Sequence, residues 1–262
     1  MGLRALALAA VAAAALAGCS GGSSPAPPAA GSAGSGGSTP SASAPASPSA
    51  GASASASASV DLADASADEI LAQARDAFLA APSVHAKGAL LTDGTSYSID
   101  LRLVKGRGAF GTVGSKGGKV TVVRVGNAAY VALDPASLRA ATGSAEAARR
   151  YAGKFFSVTS ANRQSFAPFL ALTDAAQAFG PALTPTGTVA KGAVSTVNGR
   201  RVVDLLVDGG STGDVYVALD GPPYPVRIGF GKGGQHVDFD SYGAKVALAA
   251  PPKSKLVPTP AS

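Results

Sequence analysis

The chain has no tryptophan, one methionine and one cysteine in 262 residues. A single thiol excludes an internal disulfide and any all-cysteine metal site. Histidine is nearly as scarce, with only His85 and His236 present, on separate stretches; an H-E-x-x-H metal helix is therefore ruled out. Before Asp61 there is no acidic residue, no aromatic residue and one basic residue, Arg4. Such a stretch lacks the apolar bulk to offset the entropy of ordering it, so it forms no part of a packed domain. The apolar run "ALALAAVAAAALA" is about thirteen residues long, short of the ~20 a membrane-spanning helix needs.

What that leader does contain is informative. Arg4, the apolar run and the small residues after it read as an export signal over residues 1–18. It ends in Leu16-Ala17-Gly18-Cys19, which resembles the lipobox of bacterial lipoproteins. The resemblance implies cleavage before Cys19 and a diacylglyceryl group on its sulfur, a transfer that needs a thiolate nucleophile. Acyl chains at Cys19 anchor the chain to the cell membrane, on the extracytoplasmic face. Residues 20–60 are almost entirely Ser, Ala, Gly and Pro. As a flexible tether they reach about 35 Å, from ~5–6 Å times the square root of length.

From Asp61 onward the composition becomes that of a globular protein, and the roughly 200 remaining residues suffice for one buried core. The formal net charge is +6, but the cations are scattered, with doublets only at Arg149-Arg150 and Arg200-Arg201. Nucleic-acid binding calls for a concentrated basic stripe and is not expected.

The pattern of elements is legible. Ser66 and Glu69 have capping-box spacing, Ile70, Leu71, Ala74, Ala77 and Phe78 recur at helical period, and Pro82 stops the helix. Strands are expected over 84–91, 96–104, 106–114, 119–126 and 128–133. Within 96–104, Tyr97, Ile99, Leu101 and Leu103 alternate with polar residues as in a half-buried antiparallel strand. Residues 134–180 read as helical: two short helices, an interruption at "KFFSV", and two more helices broken near Pro168 or Thr173. A second meander follows over 188–243, turning at Asn198-Gly199. In it Tyr224, Val226, Ile228 and Phe230 are expected on one face. "VHAKGAL" and "TVAKGAVSTV" open the two meanders alike, as in a weak repeat. Domain boundaries follow: signal 1–18, anchor and tether 19–60, folded domain 61–252, and an extended Pro-rich tail 253–262. The fold class is α+β, a strongly curved antiparallel sheet (a half-barrel) with helices packed over its concave face.

Catalytic patterns are weak. No G-x-S-x-G stands between a strand and a helix, and no nucleophile–base pairing is legible. "GSKGGK" (114–119) lacks phosphate-loop spacing and reads as a hairpin turn. His236, Asp238 and Asp240 alternate along one strand face and read as a solvated sheet edge rather than a metal site. No catalytic residue, metal or cofactor is expected.

Several phrases, "VHAKGALLTDGTSYSIDLRL", "GGKVTVVRVGNAAYVALD" and "VDFDSYGAKVALAAPP", together with lipobox, tether and layout, resemble the LppX/LprG-type lipoproteins of actinobacteria, which are related in fold to LolA. The resemblance covers most of 66–252. It implies an acyl-chain pocket between sheet and helices, a lipid or lipoglycan ligand, and an envelope transport protein as partner. The candidate lining is Ile99, Leu101, Leu103, Val122, Phe166, Phe169 and Leu170. Release of cargo implies that the 134–180 insert moves. The alternative is a lipoprotein scaffold with a filled core that meets a protein partner and carries no lipid.

Overall fold

The computed structural model describes residues 62, 64–92 and 95–258. Cys19, the signal and the tether lie outside the described residues. Helix α1 (Ala67–Ala80) begins where the capping box predicts: Ser66 Oγ accepts the Glu69 N–H and the Glu69 carboxylate accepts the Ser66 N–H at 2.9 Å. Two otherwise unpaired donors are thereby satisfied. Ile70, Leu71, Ala74 and Phe78 are its buried stripe.

Five strands follow in a meander, β1 (Ser83–Thr92), β2 (Thr95–Val104), β3 (Gly108–Ser115), β4 (Gly118–Val125) and β5 (Ala128–Leu133). The insert holds α2 (Pro135–Thr142) and α3 (Ala145–Tyr151), capped by Asp134 and Ser144. It continues through a two-residue strand β6 (Phe156–Ser157), α4 (Arg163–Ala171) and α5 (Ala175–Phe179). Pro168 is accommodated inside α4. The break falls after Leu172, where the Asp174 carboxylate accepts the Ala176 and Gln177 N–H groups and starts α5. The second meander comprises β7 (Val189–Val197), β8 (Arg200–Val207), β9 (Gly213–Ala218), β10 (Pro225–Phe230) and β11 (Gln235–Asp240). Asn198 and Gly199 both have positive φ, 51° and 75°, as a two-residue hairpin turn matching strand twist requires.

All eleven strands form one open antiparallel sheet in the order β6-β5-β4-β3-β2-β1-β11-β10-β9-β8-β7. The first strand of the first meander pairs with the last strand of the second, His85 opposite Asp240. Strand β11 is therefore interior, and the expectation that His236, Asp238 and Asp240 form a sheet edge is corrected. Local alternation identifies the face of a strand but not its neighbour, and only the long-range β1–β11 pairing sets that. The two similar phrases at 84 and 188 open β1 and β7, one in the middle of the sheet and one at its edge.

One face of the sheet carries the main core. Ile99, Leu101 and Leu103 of β2 are at most 3% exposed and meet Val203, Leu205, Val215, Ile228, Val237 and Phe239 from the other half. Helix α1 packs on the β7, β9 and β10 side of this face. Phe78, Phe179 and Phe239 form a cluster of edge-to-face rings with centroids 4.9–6.3 Å apart, tying α1 and α5 to β11. A smaller cluster, Val120, Val122 and Val131, lies under Val158, Phe166 and Phe169.

On the opposite face Val202, Ala218 and Val226 form a small buried cluster, with Val197 and Tyr216 against them. This corrects the expectation for β10. A bulge between Pro225 and Arg227 shifts the register, so Val226 points away from Ile228, which stays in the main core. The tail is held in place: the Phe155 N–H donates to Lys255 O at 2.7 Å and the Val257 N–H to Phe155 O at 2.8 Å.

Candidate functional site

One cleft has a volume of about 770 Å³ and is open to solvent on one side. It lies between the ends of β8, β9 and β10 and the segment joining α5 to β7. Its floor is apolar, from Val207, Val215, Ile228 and Phe230, and its other wall is Pro181, Ala182, Thr184, Pro185, Thr186 and Gly187.

Local chemistry builds that wall. Phe179 and Leu183, each 1% exposed, plug the core on either side of a 3-10 turn over Gly180–Leu183. The chain between them and β7 is then drawn to the β8–β9 turn by Asp208. This residue stands in the left-handed region at φ 50°, followed by Gly209 and Gly210 with φ of 64° and 81°. Its carboxylate accepts the Thr188 N–H at 3.0 Å, the Thr212 hydroxyl at 2.9 Å and the Thr188 hydroxyl at 3.4 Å. Gly187 is needed here because a Cβ on it would fall 2.2–2.5 Å from the Asp208 carboxylate.

Asp208 is the charged side chain on this face of the lining; Asp214 alternates with the floor residue Val215, and its carboxylate accepts the Tyr216 hydroxyl on the other face of the sheet. The Asp208 carboxylate disfavours an anionic group at that wall, while the threonine hydroxyls suit neutral polar groups. The sequence Gly209-Gly210-Ser211-Thr212-Gly213 spells G-x-S-x-G, yet it is the turn between two strands. The Ser211 hydroxyl donates to Asp208 O at 2.8 Å, and neither histidine is among the lining residues. That arrangement supplies no base for an activated serine.

None of the seven residues expected from sequence to line a pocket lines this cleft. Ile99, Leu101 and Leu103 are packed in the main core and Val122 in the smaller cluster. Phe166 packs on the smaller cluster, Phe169 on both clusters, and Leu170 is half-buried on α4. Six of them thus lie in the two apolar clusters. The residues that do form the cleft wall carry no periodic signal. Their hint in the sequence is two prolines and a glycine in "GPALTPTG" beside the glycine-rich "VDGGSTGD".

The other face of the sheet is a polar ladder. Successive cross-strand partners run Asp204, Tyr216, Arg227, Asp238, Lys87, Asp100. Arg227 grips Asp238 through two nitrogens at 2.6 and 3.1 Å. Burial pushes the Asp238 carboxyl up, but Arg227, Asn198 and His236 outweigh it and hold it below the usual range. His85 stands between two carboxylates, with Nε2 2.8 Å from Asp100 and Nδ1 3.0 Å from Asp240. Asp100 is also drawn down, since His85 and Lys87 more than offset its burial. The opposite shift occurs at Asp204. Burial first, then the charge of Asp214, raises it to about 6, and its Oδ1 is buried without a hydrogen-bond partner. Tyr216, half-buried and hydrogen-bonded to Asp214, is raised to about 12. No group of three His, Cys, Asp or Glu among the described residues is placed to hold a metal ion.

No family model matches the chain, and no curated protein sequence matches it. Among solved structures, LprF from Mycobacterium bovis aligns over 71% of this chain and 96% of its own, at 16% identity and a TM-score of 0.48. Lipoprotein LppX from Mycobacterium tuberculosis aligns over 70% of this chain and 98% of its own, at 15% identity and a TM-score of 0.42. MucB aligns over 74% of this chain and 63% of its own, at 16% identity and a TM-score of 0.31.

Proposed function

We propose that this protein is an extracytoplasmic lipoprotein, anchored through Cys19, that binds acylated lipid and carries or presents it in the cell envelope. The observation that carries the reading is the 770 Å³ cleft with a floor of Val207, Val215, Ile228 and Phe230. Its volume falls in the ~300–1,000 Å³ range of small-molecule sites, and its mixture of apolar floor and few polar rim groups is what such sites use. Each acyl methylene leaving water for that floor contributes ~0.8 kcal/mol. The Asp208 carboxylate favours a cargo without a negative headgroup, such as a neutral lipid or an uncharged glycosyl group.

One observation favours the second reading, a scaffold without cargo. The centre of the sheet is filled, with Leu101, Val122, Val131 and Val237 at 0–1% exposure. On the lipid-binding reading, the cargo is proposed to occupy the peripheral cleft. Native mass spectrometry separates the two. The chain from Asp61 on, produced in a lipid-bearing host, is expected to carry extra mass that organic extraction removes and identifies as acylated. A clean protein mass that stays clean after incubation with envelope lipids would establish the scaffold instead.

A further inference from the structure

A second cleft, of about 510 Å³, lies where the end of α3 meets the C-terminal tail, lined by Arg150, Tyr151, Lys154, Lys253, Leu256 and Val257 among others. No carboxylate lines it. Three cations, Arg150, Lys154 and Lys253, line it, and Arg149 and Lys255 adjoin them in the chain, making five cations in two short segments. None of the five is ion-paired with a carboxylate among the described residues. Glu146, the one acidic residue of α3, bridges neither arginine.

These cations are fixed rather than trailing. The two backbone hydrogen bonds between Phe155 and the tail hold Lys253 and Lys255 against the insert. Lys154 Nζ donates to Ser254 O at 2.9 Å, leaving two of its three donors free. The Arg150 guanidinium lies 5.7 Å from the centre of the Tyr151 ring. Like charges held together repel one another, and that energy is recovered when an anionic surface neutralises them. Beside them Tyr151, Leu256 and Val257 are half-buried. A ring with a polar tip and short aliphatic groups under a cluster of cations matches the layering of a bilayer interface, phosphate above acyl chain.

We infer that the α3–tail cleft is a docking surface for the anionic phospholipid headgroups of a membrane. The inference rests on the proposed location in the envelope, though not on the cargo cleft. It gives the two clefts opposite roles: the acidic rim at Asp208 disfavours the same headgroups that the basic cleft attracts. The tethered domain would then return to its membrane in a defined orientation.

The test is vesicle sedimentation of the full chain carrying Cys19→Ser, so that no acyl anchor contributes. Vesicles of phosphatidylcholine alone are compared with vesicles containing about one-third phosphatidylglycerol, and the charge-dependent part of the partition is taken. The variant Arg150→Glu/Lys253→Glu/Lys255→Glu alters only exposed side chains and keeps the Lys154–Ser254 bond. Its control, Lys105→Glu/Arg107→Glu/Lys116→Glu, makes the same change of net charge at exposed turns between strands. With about fivefold per basic residue near an anionic surface, the cleft variant loses about a hundredfold in partition or more, and the control much less. No preference of the parent chain for the anionic vesicles, or an equal loss in both variants, overturns the inference. Cargo detected or absent in mass spectrometry leaves this outcome unchanged, so the two proposals fail separately.

Discussion

Replacing Asp204 by Asn is expected to stabilise the protein above neutral pH and to do little in acid. Asp204 faces the polar side of the sheet opposite Tyr216, with one oxygen buried and unpartnered and Asp214 nearby. Its carboxyl rises from 3.8 to about 6. An acid whose folded value lies above its unfolded one is bound more tightly to its proton in the native state. Well below pH 3.8 both states are protonated and no penalty applies. As pH climbs from 4 to 6, the unfolded chain gives up its proton first and the native state is destabilised, levelling off above 6. The full displacement corresponds to about 3 kcal/mol. Solvent screening at this half-buried site lowers it to roughly 1–2 kcal/mol. Urea unfolding of parent and Asp204→Asn at about pH 3, 5, 6 and 7.5 reads this directly. The two midpoints should coincide at the lowest pH and separate toward the highest, with the variant more stable. A gap that is the same at every pH, or a variant weaker at pH 7.5, would refute the electrostatic account.

Three further outcomes follow from packing. Phe179→Ala removes a ring held edge-to-face by Phe78 and Phe239 and should cost about 3–5 kcal/mol in urea unfolding; a loss under about 1 kcal/mol would mean that the site collapses around the gap. Ala182→Trp places an indole in the mouth of the larger cleft, and the lipid-bearing fraction in native mass spectrometry should drop severalfold with the urea midpoint nearly unchanged; undiminished cargo would move the binding site elsewhere. Helices α2 and α3 each bury one side chain fully and α4 none, against four for α1, so hydrogen exchange should be faster across 135–171 than in β1, β2 and β11. Protection of that insert equal to the sheet would count against its movement during cargo release.

What could be read in the sequence was whatever depends on neighbours along the chain. The Ser66–Glu69 box located α1, the alternation in 96–104 assigned the faces of β2, and Asn198-Gly199 gave the hairpin. What could not be read depends on partners far apart. The placement of β11 beside β1 turns an apparent edge into the middle of the sheet, and nothing local to His236 carries that information. The bulge at Val226 defeats alternation for the same reason, because register is a property of the strand pair. The cleft was missed because aliphatic periodicity finds filled surfaces, whereas open space is made by an irregular segment held off the sheet by Asp208. Apolar residues such as Leu101 announce burial, and burial is equally compatible with a lined pocket and a packed centre.

The seam between β1 and β11 also bears on how the chain reaches its native state. The first and last strands of the domain are neighbours, so the two half-sheets cannot join until β11, near the end of the domain, is available. Until then each meander has an unsatisfied inner edge, open to wrong partners. Contacts so distant in sequence make folding slow. The same adjacency brings the beginning and end of the sheet together in space.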